Sequence, residues 1–114
     1  MEIETGDYSV CYNPDTTTVN FQGSLRLSGI DEYAPIVNLL NDLADSEPPK
    51  ITLNLQKLEF LNSSGINILS KFVIKVRQKG TMQMVVQGSK TIPWQGKSLK
   101  NLQRLMPSLQ LEFE

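Results

Sequence analysis

Between Leu55 and Gly80 the chain reads LQKLEFLNSSGINILSKFVIKVRQKG, a strand-like run that passes straight into a helix-like one. Ile66, Leu69, Phe72, Val73 and Val76 recur at helical spacing, whereas Asn67, Ser70, Lys71, Lys75 and Gln78 fall largely elsewhere on the wheel. Ser63 or Ser64 is placed to cap this helix, and Gly80 to close it after Arg77 and Lys79. A helix that opens at a strand end presents its free N–H groups and its positive dipole end at the junction. Two adjacent hydroxyls in such a place are most often caps, and the place also tolerates an added phosphate. Spacing alone leaves both open.

The remaining chain supplies alternating partners for this unit. Met1 to Asp7 is acidic and reads as a loose tail. Tyr8 to Tyr12 and Thr17 to Gln22 read as a hairpin around the turn residues Asn13-Pro14-Asp15, with Gly23 ending the second strand. Ser24 to Gly29 is a loop or a short strand extension. Ile30 to Ala44 is the first helix, with Asp31 and Glu32 in its first turn. Ile36, Leu39, Leu40 and Leu43 form its apolar stripe, and Ser46-Glu47-Pro48-Pro49 stops it. Strands follow at Ile51 to Gln56 and Thr81 to Gln87. Ser89 to Gln95 is a loop in which Trp94 is expected to cover the end of the core. A helix over Lys97 to Met106 and a strand over Leu109 to Phe113 complete the chain.

The order is thus ββαβαβαβ, which predicts right-handed parallel crossovers in an α/β domain. Ile51, Leu53 and Leu55 alternate with Thr52, Asn54 and Gln56, and Met84, Val86, Leu111 and Phe113 sit in similar alternations. A parallel sheet covered on both faces carries nearly continuous apolar strands. Alternation therefore predicts a mostly parallel sheet with helices packed on one face.

With 114 residues the chain supports one core, so residues 1–114 are expected to form a single domain. No run approaches the length of a membrane span, and Met-Glu-Ile-Glu lacks the basic and apolar regions of a signal peptide. One cysteine, Cys11, excludes an intrachain disulfide. A cytoplasmic protein without membrane attachment is expected. The absence of any His removes Ser-His and Cys-His pairs and the commonest zinc ligand. Its seven glycines are scattered singly, with no phosphate-cradling loop. Neither an enzyme nor a metal or cofactor site is expected. Charges before Pro48 are acidic except Arg26, and from there to Gln110 they are basic except Glu59. The basic residues are dispersed and lack aromatic interleaving, so nucleic acid is not an expected partner.

Leu53-Asn54-Leu55, then Leu58-Glu59-Phe60, then Asn62-Ser63-Ser64-Gly65-Ile66 resembles the signature of STAS domains, the family of bacterial anti-sigma-factor antagonists. Asn62 stands where the family motif has Asp. The resemblance implies a STAS-like fold and a regulatory protein-binding module switched by reversible serine phosphorylation in a partner-switching pathway. Its implied partners are a serine kinase that acts as an anti-sigma-factor-like protein, and a phosphatase. The phosphoacceptor maps onto Ser63, with Ser64 as the alternative. The expected partner contact comprises Asn62, Ser63, Ser64 and Gly65 with Asn67 and Lys71 on the following helix. A constitutive interaction domain without a phosphoswitch is the other reading. The family's last helix has no counterpart after Phe113, so a C-terminal partner surface is expected to be missing.

Overall fold

The computed structural model describes residues 2–114. Its elements run β1 (Glu2–Glu4), β2 (Tyr8–Asn13), β3 (Thr18–Leu25), α1 (Gly29–Asp45), β4 (Lys50–Leu61), α2 (Ser63–Lys79), β5 (Gln83–Gly88), α3 (Gln95–Leu105) and β6 (Gln110–Phe113). They build one six-stranded sheet in the order β1-β2-β3-β4-β5-β6. β1, β2 and β3 pair antiparallel, and β3 to β6 pair parallel with one helix between each successive pair. α1 packs on α2 and α2 on α3. The alternating strands bury Val19, Phe21, Ile51, Leu53, Leu55, Met84 and Val86 beneath that helical layer. The other face carries Asn20, Asn54, Gln87 and Glu112 side by side across β3 to β6, and Asn54 donates to Asn20 Oδ1 at 3.0 Å.

The expected loose tail is in part a strand. Glu2, Ile3 and Glu4 pair with Cys11, Val10 and Ser9. Ile3 packs against the core between two exposed glutamates, so the segment is held by a tertiary pairing that a short acidic sequence does not announce. Met1 lies outside the described residues. Gly23 does not end β3, which continues to Leu25. At φ +87° Gly23 adopts a conformation that side chains disfavour, and a Cβ there would collide with the Asp7 carbonyl oxygen.

β4 runs twelve residues and joins the alternating Ile51–Gln56 strand to the strand-like run that leads into the helix, ending about where that run is expected to, near Phe60. Its register against β3 slips between Asn20 and Gln22 and again between Gly23 and Ser24, so β4 carries an extra residue at each slip. The bulges let Leu55, Leu58 and Leu61 all turn inward although they lie three apart, a spacing that reads locally as helical. The second slip leaves Phe60 partly exposed and delivers the chain to the start of α2.

Asp45 near the end of α1 meets Lys75 and Lys79 of α2 at 3.1 and 3.4 Å. Hydrogen bonds from the two ammonium groups hold its carboxyl below the ordinary aspartate range. No helix among the described residues is long and apolar enough to cross a membrane. Nor do the described residues hold a His, Cys, Asp and Glu cluster fit for a metal ion.

Candidate functional site

The junction of β4 and α2 is organised by Asn62, not by a serine. Asn62 is the N-cap, and its Oδ1 accepts from the Gly65 N–H at 2.9 Å. The same oxygen accepts the Tyr33 hydroxyl of α1 at 2.8 Å. Its Nδ2 donates to the Leu27 carbonyl at 2.8 Å, and its backbone N–H donates to the Leu25 carbonyl at 3.2 Å. One side chain therefore ties the end of β3, the loop into α1, α1 itself and the first turn of α2. Burial raises the Tyr33 hydroxyl above its ordinary pKa and keeps it a donor.

The expectation that Ser63 or Ser64 caps the helix is thus corrected. Ser63 and Ser64 occupy the first two positions inside α2. Ser63 is exposed and Ser64 half-buried. Among the described residues neither hydroxyl makes a hydrogen bond within the protein, and the first turn of α2 has no acidic residue. Ser63, Asn67 and Lys71 follow at intervals of four, so all three exposed side chains form one stripe. Gly65 is buried instead. A Cβ there would lie 2.8 Å from the Tyr33 hydroxyl and collide with Leu61, so this glycine lets the helix start close against α1. Asn62 is likewise committed to internal bonds. Of the six residues expected at the partner contact, Ser63, Asn67 and Lys71 face outward, Ser64 is partly covered, and Asn62 and Gly65 set their position.

Three further residues, Arg26, Ile30 and Phe60, lie on the elements that meet at this junction. Phe60 is 38% exposed and Ile30 71%, the large apolar side chains that stand out of the surface among the described residues. The Arg26 guanidinium stacks 4.6 Å above the Phe60 ring. Arg26 lies within the Leu25–Leu27 segment that Asn62 holds, Phe60 near the end of β4, and Ile30 in the first turn of α1. The second bulge of β4 is what exposes Phe60, and no local pattern marks it. Arg26 also lines a cleft of about 450 Å³, together with Gly6, Asp7, Tyr8, Ser24 and Leu27.

Trp94 is half-buried, and its Nε1 donates to the Leu58 carbonyl at 3.2 Å, in keeping with a residue that covers the end of the core. Beside it Gln95 is completely buried. Its Nε2 donates to the carbonyls of Leu55 at 2.6 Å and Leu58 at 3.0 Å, and its Oε1 accepts from the Ser89 N–H at 2.7 Å. Gln95 thereby gives partners to two β4 carbonyls beyond Asn54, where the pairing of β4 with β5 ends.

No protein-family model matches the chain, and no curated protein matches its sequence. Solved structures do share its fold. SiaC of Pseudomonas aeruginosa superposes with a TM-score of 0.74 at 10% identity, over 100% of this chain and 96% of that one. The crystal structure of the diguanylate cyclase SiaD in complex with its activator SiaC, from the same organism, contains a chain that matches with the same TM-score and identity. There the overlap is 100% of this chain and 99% of that one. An anti-sigma factor antagonist from Mycobacterium paratuberculosis superposes with a TM-score of 0.63 at 20% identity, over 91% of this chain and 86% of that one. The fold is therefore the STAS-like fold that the motif around Ser63 implies.

Proposed function

We propose that this chain is a regulatory protein-binding module without catalytic activity, switched by reversible phosphorylation of Ser63. The partner docks on the Ser63, Asn67 and Lys71 stripe together with the Phe60, Arg26 and Ile30 surface. A serine kinase modifies Ser63 and a phosphatase restores it. The observation that carries this reading is the division of labour at the junction. Asn62 caps α2, so the Ser63 hydroxyl stands exposed with no hydrogen bond among the described residues, at a helix start whose first turn has no carboxylate. A phosphate brings about −1.5 to −2 charges, and a helix N-terminus accommodates them without unfolding. The modified and unmodified forms then differ in surface charge, not in fold. That the structural neighbours include an activator of a diguanylate cyclase and an anti-sigma factor antagonist supports a role in protein–protein regulation.

The test pairs Ser63→Asp with Ser63→Ala. Because Ser63 does not cap the helix, both variants should melt within about 0.5 kcal/mol of the parent, as exposed surface substitutions do. Partner proteins recovered by affinity purification from the native cells should bind the alanine form and lose the aspartate form, and phosphopeptide mapping should find the label on Ser63. If both variants bind alike and Ser63 and Ser64 stay unlabelled by a kinase that binds tightly, the module is a constitutive interaction domain.

A further inference from the structure

Among the described residues β6 is the last strand of the sheet, paired only with β5. Glu114 donates its N–H to the Gly88 carbonyl at 3.1 Å and accepts the Lys90 N–H at 2.9 Å, so its backbone groups face the β5 side. Successive residues of a parallel strand direct their backbone groups to opposite sides. The N–H and C=O groups of Leu111 and Phe113 therefore point to the open edge. Their side chains are half-buried on the helix side of the sheet. Above them runs α3, whose Lys97, Lys100 and Arg104 fall at i, i+3 and i+7 on a helix that contains no acidic residue. A cleft of about 570 Å³ lies between Lys100, Gln103, Arg104, Pro107, Leu111 and Phe113. A second hollow of about 300 Å³ continues past Phe113 toward Lys90. Among the described residues none of Lys90, Lys97, Lys100 or Arg104 is in an ion pair.

We infer that this edge binds an extended acidic segment of another protein, which adds to the sheet as a strand beside β6. Its backbone bonds the outward N–H and C=O groups of Leu111 and Phe113. On the helix side its alternate residues place an apolar side chain in the cleft and carboxylates against Lys100 and Arg104. A second copy of this chain does not fit. β6 paired with β6 of another molecule sets the two cationic rims of Lys100 and Arg104 against each other. β6 paired with β1 of another molecule brings Glu112 alongside Glu2 and Glu4, which share its face of the sheet. An open strand edge with two half-buried apolar side chains matches a peptide backbone better than a phosphodiester chain. This surface is separate from the Ser63 stripe, and the inference does not depend on the phosphoswitch.

The probe is a short synthetic peptide that alternates Glu and Leu on one face and Thr on the other, titrated into the ¹⁵N-labelled protein. Saturable shifts should concentrate at Leu111 to Glu114 and along α3. Lys100→Glu with Arg104→Glu, both exposed, should leave the melting curve unchanged and weaken the peptide by at least about tenfold. The same peptide N-methylated on its edge-facing amides should bind comparably weakly, whereas Ser63→Asp should leave its affinity alone. Shifts that avoid β6, or equal binding of the N-methylated peptide, would overturn strand addition. So would a single-stranded oligonucleotide that displaces the peptide and binds more tightly, or parent protein that dimerises through β6 in sedimentation.

Discussion

Replacing Asn62 by aspartate exchanges one amide nitrogen for an oxygen and removes the N–H that reaches the Leu27 carbonyl at 2.8 Å. The cap to Gly65 and the bond from Tyr33 survive, since both use the oxygen that the two side chains share. A carboxylate oxygen would then face a carbonyl oxygen at hydrogen-bond distance. Asn62→Asp should therefore destabilise the domain by about 1–3 kcal/mol in urea titration, despite the favourable helix dipole. A neutral or stabilising outcome would mean that the Leu27 bond carries little. The departure from the motif's aspartate thus has a structural account: this chain uses the extra donor to hold the loop into α1. Asn62, Ser63 and Ser64 are all capping types in a row, and propensity cannot rank them. The choice is made by the Leu27 carbonyl and the Tyr33 hydroxyl, 35 and 29 residues away in sequence.

At the level of elements, the three helices were legible because each carries an apolar stripe at helical period, and the parallel order followed from strands alternating with helices. β1 was not, and β4 was legible only as two pieces, the alternating Ile51–Gln56 and the strand-like run that ends at about Phe60. β1 depends on pairing with β2, and β4 depends on two bulges whose apolar residues lie three apart. Gln95 was invisible for a related reason: a glutamine at a helix start signals nothing, while its acceptors on β4 lie 40 and 37 residues earlier. Because Gln95 meets the Leu55 and Leu58 carbonyls in the core, Gln95→Met keeps the volume and strands buried polar groups. The cost should be on the order of 3 kcal/mol by denaturant titration. Trp94→Phe removes just one donor to a carbonyl that Gln95 also serves, and should cost well under half as much. Equal losses for the two variants would assign the effect to packing and not to the Gln95 hydrogen bonds.

For the molecule as a whole, the sheet has a covered face, an uncovered face and two unlike edges. β4 lies between β3 and β5 and is buried under α1 and α2 at Ile51, Leu53 and Leu55, each completely shielded from solvent. Opening it requires breaking both ladders and exposing the core, so its amides should exchange only through global unfolding. β1 has three residues and one neighbour, and β6 has four residues and one neighbour. Hydrogen–deuterium exchange should therefore order the strands, with Ile51 to Leu55 and Met84 to Val86 slowest and Glu2 to Glu4 fastest. Within β6 the amides of Leu111 and Phe113 should exchange faster than that of Glu112, because a parallel ladder turns alternate residues outward. That alternation separates an open edge from a frayed one: fraying would release all three amides together. A partner strand beside β6 would slow Leu111 and Phe113 selectively, whereas phosphorylation of Ser63 should leave this order unchanged because the domain keeps its fold.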